Sequence, residues 1–375
     1  MFFQIGITSF GGHMSLIAIV EKKLIGEKGL LTQEDLLDAI AVASVLPGPL
    51  AVNIIAFLGY KIRGFVGAFV SISAVLLPSF LLMIALAIGF KQVGNQPWVH
   101  GFISGAITVV IAVIISVGIN ISKKQISSNW QSVLLMASFL ALVLLSAKIS
   151  IILFLLVGAV TGLFFHRKVK HLEQSINLGD WHIWIDVCII ILVMTVLFIV
   201  SEPINRQLLL QFSKVSLTLF GGGYVMIPLL YDLVVERLGW ISSEEFNAAI
   251  TLGQITPGPI LISATFIGYK VSGIYGAVLA TIGIFLPSAS LMVIVSYFFS
   301  QFKEHYLVRS ILAGMYPVVV AMIFSSAIIV FRNIDTGWVA IPLVTISFYF
   351  IHFRKISYLP FILGFGFIGI LLEYL

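Results

Sequence analysis

Two short backbone motifs, each present twice, are the residues of this sequence best placed to do chemistry. Phe10-Gly11-Gly12 recurs as Phe220-Gly221-Gly222, and Pro47-Gly48-Pro49 recurs as Pro257-Gly258-Pro259, both pairs 210 residues apart. All four lie within long apolar runs. Proline removes a backbone donor and clashes with the preceding helical turn, and glycine permits the sharp turn beside it. Each run is therefore expected to break into two half-helices. A half-helix starting after Gly12, Pro49, Gly222-Gly223 or Pro259 presents free N–H groups and the positive end of its dipole. Four such ends converging would bind an anion without a buried cation. The competing reading is a kinked but continuous helix, since Pro and Gly are ordinary in membrane-spanning helices. The pairing of four breaks by repeat favours half-helices.

Side chains near the breaks add polar groups: Ser9, His13, Asn53, Thr218, Gln254, Thr256 and Ser263. His13 directly follows one break and is matched by Gly223. It reads either as an anion ligand or proton acceptor, or as a neutral packing histidine. Lys61 and Lys270 occupy equivalent Gly-Tyr-Lys positions. Each reads either as a gating or substrate-attracting cation, or as an anchor whose head reaches the membrane interface. Thr32 with Asp35, and Ser242 with Glu245, are spaced as helix-capping pairs ahead of an apolar run.

Other chemistries find no residues to carry them. No His/Cys/Asp/Glu cluster has metal-ligand spacing. No nucleophile motif and no Gly-rich loop ending in Lys-Ser/Thr is present. Asp38 is the one acid well inside a first-half apolar segment, and Ala248 replaces it in the second half. The chain is expected to be no enzyme and to need no cofactor.

The elements that must position these residues follow from composition. Of 375 residues, 60% are hydrophobic and 10% charged, with a mean hydropathy of +1.13. So few charges cannot coat a soluble surface of this size, but they suffice when most of the surface faces lipid. The net charge of +5 fits the Lys/Arg excess of cytoplasmic loops, and nucleic acid is not an expected partner. The single cysteine, Cys188, excludes a disulfide framework within one chain. The start Met1-Phe2-Phe3-Gln4 lacks a basic leader region, so no cleaved signal peptide is expected.

The repeat extends far beyond the two motifs. Gly59-Tyr60-Lys61 matches Gly268-Tyr269-Lys270, and Leu77-Pro78-Ser79 matches Leu286-Pro287-Ser288, at an offset of 209; Lys148-Ile149-Ser150 matches Lys355-Ile356-Ser357 at 207. Each half holds six apolar segments, near 2–20, 36–58, 64–90, 101–121, 131–147 and 149–165, then 208–231, 246–267, 273–299, 308–331, 338–351 and 356–374. One apolar helix near 183–201 has no first-half partner. The expected organisation is a first transport repeat at 1–165, a basic linker and linking helix at 166–206, and a second repeat at 207–375.

Loop charges orient these segments. If the first two segments of each half are re-entrant hairpins, Lys22, Lys23, Lys28, Lys61, Arg63, Lys123, Lys124, Arg167, Lys168 and Lys170 share one side, against Lys91 and Lys148 on the other. That is the positive-inside pattern. The linking helix then carries the second half across, placing the acidic stretch Asp232, Glu236, Arg237, Glu244 and Glu245 outside and Lys303, Arg309, Arg354 and Lys355 inside. The expected fold is an all-α polytopic membrane protein. It has two inverted-topology repeats, each with two re-entrant broken-helix hairpins followed by four transmembrane helices, plus one linking transmembrane helix.

Several of these residues together resemble the chromate ion transporter family. In the second half they are Phe220-Gly221-Gly222-Gly223-Tyr224-Val225-Met226-Ile227-Pro228, Gly239-Trp240-Ile241, Gly253-Gln254-Ile255-Thr256-Pro257-Gly258-Pro259 and Gly268-Tyr269-Lys270. In the first half they are Thr8-Ser9-Phe10-Gly11-Gly12, Leu46-Pro47-Gly48-Pro49-Leu50 and Gly59-Tyr60-Lys61. The resemblance implies chromate efflux from the plasma membrane, with sulfate as the look-alike dianion. It also implies kinship with shorter, paired single-domain proteins of opposite orientation. An anion channel, or a transporter of another small anion such as sulfate, is the alternative. A homodimer is compatible with this reading, and the lipid bilayer is the other expected partner.

Overall fold

The structure is a computed structural model that describes residues 1–9, 13–145, 151–165, 181–220, 223–302, 306–332, 334 and 337–374. Among them there is no strand, and the chain is an all-α polytopic membrane protein. Four helices are long and apolar enough to cross a membrane, Leu50–Val93, Pro97–Gln125, Ile260–Ser296 and Arg309–Arg332, and five shorter apolar helices accompany them. The basic linker expected at 166–182 falls largely outside the described residues.

The first half opens with α1 (Phe2–Thr8) and α2 (His13–Val20), the latter running into a π turn at Glu21–Glu27. Helix α3 (Gln33–Val45) starts at a capping box: Asp35 N–H donates to Thr32 Oγ1 at 3.2 Å, and Thr32 N–H donates to Asp35 Oδ2 at 2.8 Å. Helix α4 (Leu50–Val93) follows the Leu46–Pro49 turn and breaks within its length at Arg63 (φ −152, ψ 38) and Gly64 (φ 57, ψ −150). That second conformation is open to glycine alone without strain. Next come α5 (Pro97–Gln125), α6 (Asn129–Leu145), α7 (Ile151–Phe165) and the unpaired α8 (Trp181–Val200).

The second half repeats these elements. Helix α9 (Pro203–Thr218) is the counterpart of α1, and α10 (Met226–Tyr231) again runs into a π turn, Asp232–Arg237. Helix α11 (Ser243–Ile255) carries the matching capping box of Ser242 and Glu245. A short 3₁₀ turn at Ile260–Ile262 leads into α12 (Ser263–Phe302), which breaks at Ser272 (φ −146, ψ 33) and Gly273 (φ 62, ψ −152). The series closes with α13 (Tyr306–Arg332), α14 (Ala340–Phe348) and α15 (Leu359–Glu373).

Packing exchanges partners between the halves. Helix α5 lies against α14 and α15, whereas its counterpart α13 lies against α6 and α7. Small residues permit both contacts. A Cβ on Gly101 of α5 would come within 2.7 Å of the Gly369 carbonyl oxygen of α15, and one on Gly158 of α7 within 2.7 Å of the Gly314 carbonyl oxygen of α13. Helices in lipid rely on such close backbone approach, because burying apolar surface from lipid gains nothing. Reciprocal contacts of this kind are what a two-fold relation between like units imposes.

Candidate functional site

The two Pro-Gly-Pro turns meet where the halves cross. Both glycines have positive φ, +113 at Gly48 and +118 at Gly258. Gly48 N–H donates to the Leu219 carbonyl at 2.5 Å, and Gly258 N–H donates to the Ser9 carbonyl at 3.0 Å. Ser9 and Leu219 are themselves repeat equivalents, each ending the first short helix of its half. Each turn thus hooks onto the break of the opposite half. The glycines also pack on opposite-half serines: a Cβ on Gly48 would collide with the Ser288 side chain, and one on Gly258 would lie 3.1 Å from Ser79 Oγ. Those serines belong to the Leu-Pro-Ser repeats. Behind the first turn, Asn53 Nδ2 donates to the Pro47 carbonyl at 3.0 Å, fixing the turn to α4.

Pro49 and Pro259 stand at the caps of the helices that follow. Their carbonyls are taken up within those helices, by Asn53 N–H at 2.9 Å and Ile262 N–H at 3.0 Å. The first N–H groups of each helix lack intrahelical acceptors and carry the positive dipole end. Both helix starts line one cleft, through Pro49, Leu50 and Ala51 from the first half and Pro259, Ile260 and Leu261 from the second. Gly223, Tyr224, Gln254, Gly258 and Tyr358 complete it. The cleft holds about 30 Å³, room for one or two water molecules. Gln254 is 4% exposed, and its Nε2 has no partner among the described residues, although the Tyr224 hydroxyl reaches the same side chain. A buried amide donor without an acceptor is costly, and an oxyanion would supply the acceptor.

The expected site residues therefore divide into groups. Pro49, Gly223, Gln254, Gly258 and Pro259 line the cleft. Pro47, Gly48, Asn53 and Pro257 build the turns that hold it. Phe220 is partly buried beside the second-half break and does not line the cleft. Phe10, Gly11, Gly12, Gly221 and Gly222 lie outside the described residues, as does the His13 side chain. Tyr224 and Tyr358 were not expected. Tyr224 sits inside the Gly-Gly-Gly-Tyr run and could have been noticed there; Tyr358 comes from the far end of the chain with no signal of its own.

Lys61 and Lys270 lie elsewhere. Lys61 Nζ pairs with Asp35 Oδ1 at 2.5 Å, and Lys270 Nζ pairs with Glu245 Oε1 at 2.6 Å. Each lysine thereby reaches the capping acid at the start of α3 or α11. With 13 residues in each of those helices, that end is roughly 20 Å from the Pro-Gly-Pro tip. Burial alone would raise the Asp35 carboxyl, but the Lys61 ammonium and Thr32 outweigh it and hold the group below its ordinary range. The conserved pairing across the two halves links each lysine to its own hairpin. Among the described residues no group of three or more His, Cys, Asp or Glu could hold a metal ion.

Comparison with known proteins gives the same direction. A family model described as Chromate transporter matches residues 1–163 and 206–370. An uncharacterized transporter of Methanocaldococcus jannaschii is 29% identical over 357 residues, covering 94% of this chain and 88% of the relative. The probable chromate transport protein of Synechococcus elongatus is 28% identical over 334 residues, covering 88% and 83%. The chromate transport protein of Cupriavidus metallidurans is 26% identical over 371 residues, covering 98% and 91%. No solved structure matches the chain.

Proposed function

This chain belongs to the chromate transporter family, and on that premise we propose that it exports chromate, or a related oxyanion such as sulfate, across the plasma membrane. The anion is held between the helix starts at Leu50 and Ile260, with Gln254 as a neutral donor. One observation carries this reading: two helix N-termini from opposite halves and a buried amide whose Nε2 has no partner among the described residues line the same cleft. Donors of this kind favour an anion, and a site between repeats suits alternating access.

The second half is inverted relative to the first, with α8 supplying the extra crossing. The loop-charge bias supports this, and so do the exchanged contacts of α5 and α13. Inversion places the two hairpins on opposite sides of the membrane with their tips meeting inside. The small cleft favours a transporter over an open channel, because chromate enters only when the turns separate.

The membrane potential supplies enough drive. Moving one charge across 100 mV is worth about 2.3 kcal/mol. A dianion leaving an inside-negative cell therefore gains roughly 4.6 kcal/mol, on the order of a thousandfold gradient. The test is radiolabelled chromate accumulation in cells expressing the chain. Wild type should lower accumulation, and Gln254→Met, which keeps the volume but removes both amide donors, should abolish the effect. Equal accumulation with and without wild-type protein would remove chromate as the substrate.

A further inference from the structure

The cleft at Gln254 is not the only one that α11 lines. A second cleft, also of about 30 Å³, opens at the other end of this helix, between Glu244 and Asn247 of α11 and His100 and Ser104 of α5. Between the two clefts lies Thr251. Its side chain is fully buried, and its Oγ1 has no partner among the described residues. Asn247, Thr251 and Gln254 are spaced i, i+4 and i+7, which puts them on one helical face. Over seven residues that face spans roughly 10 Å. It therefore presents a line of uncharged hydrogen-bonding side chains with a cleft at each end.

Nothing about helix stability calls for such a line. A hydroxyl inside a helix ordinarily donates to its own preceding turn, as the half-buried Ser44 Oγ does to the Ile40 carbonyl at 2.6 Å and the buried Ser326 Oγ to the Ile323 carbonyl at 2.7 Å. Thr251 and Gln254 do not. The comparison with the first half sharpens this, because the equivalent positions of α3 are Leu37, Ala41 and Ser44. Two of those are apolar, and the third is satisfied within its own helix. The duplicated helix α3 thus shows that the fold does not require a polar face here.

We propose that the anion travels along this face of α11, from Gln254 past Thr251 to the His100–Ser104 cleft, and that the chain carries one such path, in its second half. The proposal rests on the reading that the anion binds at the Gln254 cleft. Thr251 acts as the stepping donor, offering a neutral O–H in place of water, and Asn247 lines the cleft at the far end. Neutral donors suit transit better than a buried cation, which would hold a dianion too tightly to release it. His100 and the exposed Glu244 both stand at the mouth.

The test uses the full-length chain in proteoliposomes, with a Cys188→Ser background where cysteines are introduced. Thr251→Val, which preserves side-chain shape, should slow chromate transport on the order of tenfold or more, the usual loss when a hydrogen bond to a charged group is removed. It should leave equilibrium chromate affinity within about twofold, because Gln254 is intact. Ala41→Val, which places the same side chain at the equivalent first-half position, should leave transport unchanged. Ser104→Cys should react with an anionic thiol reagent, and chromate should slow that reaction. A wild-type rate for Thr251→Val, or Ser104→Cys labelling indifferent to chromate, would overturn the path while leaving the binding site standing. A wild-type chain that neither binds nor moves chromate would remove both.

Discussion

Gly48 and Gly258 show how much of the site is backbone. Both hold φ values that side chains rarely adopt, and both donate across the repeat boundary. A substitution to alanine should cost about 1–3 kcal/mol from the backbone conformation alone. Gly48→Ala should be the worse, since its Cβ collides with Ser288, whereas the Gly258 Cβ meets Ser79 Oγ at 3.1 Å. Thermal unfolding in detergent would rank the two, and Ser288→Gly should recover part of the Gly48→Ala loss but none of the Gly258→Ala loss. The Pro-Gly-Pro residues were legible in the sequence because proline and glycine act on their own backbone. The serines they pack against were visible only as a repeated Leu-Pro-Ser. Tyr358 was not legible as a residue of the cleft, because which distant helix faces it depends on packing that has no local signature.

The hairpins are units, and their ends explain the repeated charges. Thr32–Asp35 and Ser242–Glu245 cap α3 and α11, as their spacing indicated, and the same acids bind Lys61 and Lys270. The pairing gives a structural reason for keeping Lys270 where Arg63 has become Ser272. Removing either lysine as Lys61→Met or Lys270→Met should change stability by under about 1 kcal/mol, the range for partly exposed pairs. Chromate affinity should hardly move; a tenfold loss would return the lysines to the substrate path. The pH dependence has a definite sign. Asp35 has a lowered pKa when folded, so its contribution is present above the ordinary carboxylate range and is lost as pH falls through the folded value. The melting difference between wild type and Asp35→Asn should therefore shrink on acidification. At the α5–α15 and α7–α13 contacts, Gly105→Leu and Gly314→Leu should each prevent close approach and cause loss of folded protein in size-exclusion profiles. Gly101 and Gly105, or Gly158 and Gly162, announce a close helix contact by their spacing, but not which helix they meet.

At the scale of the molecule, each half builds half of the other. Gly48 reaches Leu219 and Gly258 reaches Ser9, while α5 packs on α15 and α13 on α7. Two independent domains would not exchange partners this way, and a duplicated sequence alone does not reveal it. The duplication, the apolar segments and the unpaired α8 were all readable from period and composition. The sidedness came only from loop charge, which is clear in the first half and weak in the second. Single cysteines at Lys28 and Glu236 in a Cys188→Ser background would test it directly: impermeant reagents should label Lys28→Cys from the cytoplasm alone and Glu236→Cys from outside alone. Labelling of both from one side would make the repeats parallel.

The most direct test of the central claim is radiolabelled chromate uptake into everted membrane vesicles, with and without an imposed potential and with sulfate as competitor. If helix starts from the two halves hold a dianion on its way out of an inside-negative cell, everted vesicles should accumulate chromate when their lumen is positive. Collapsing the potential should cut uptake, sulfate should compete, and Gly258→Leu should abolish it. Chromate uptake that ignores the potential, or survives Gly258→Leu in a folded protein, would contradict a dianion carried at the crossing of the two turns.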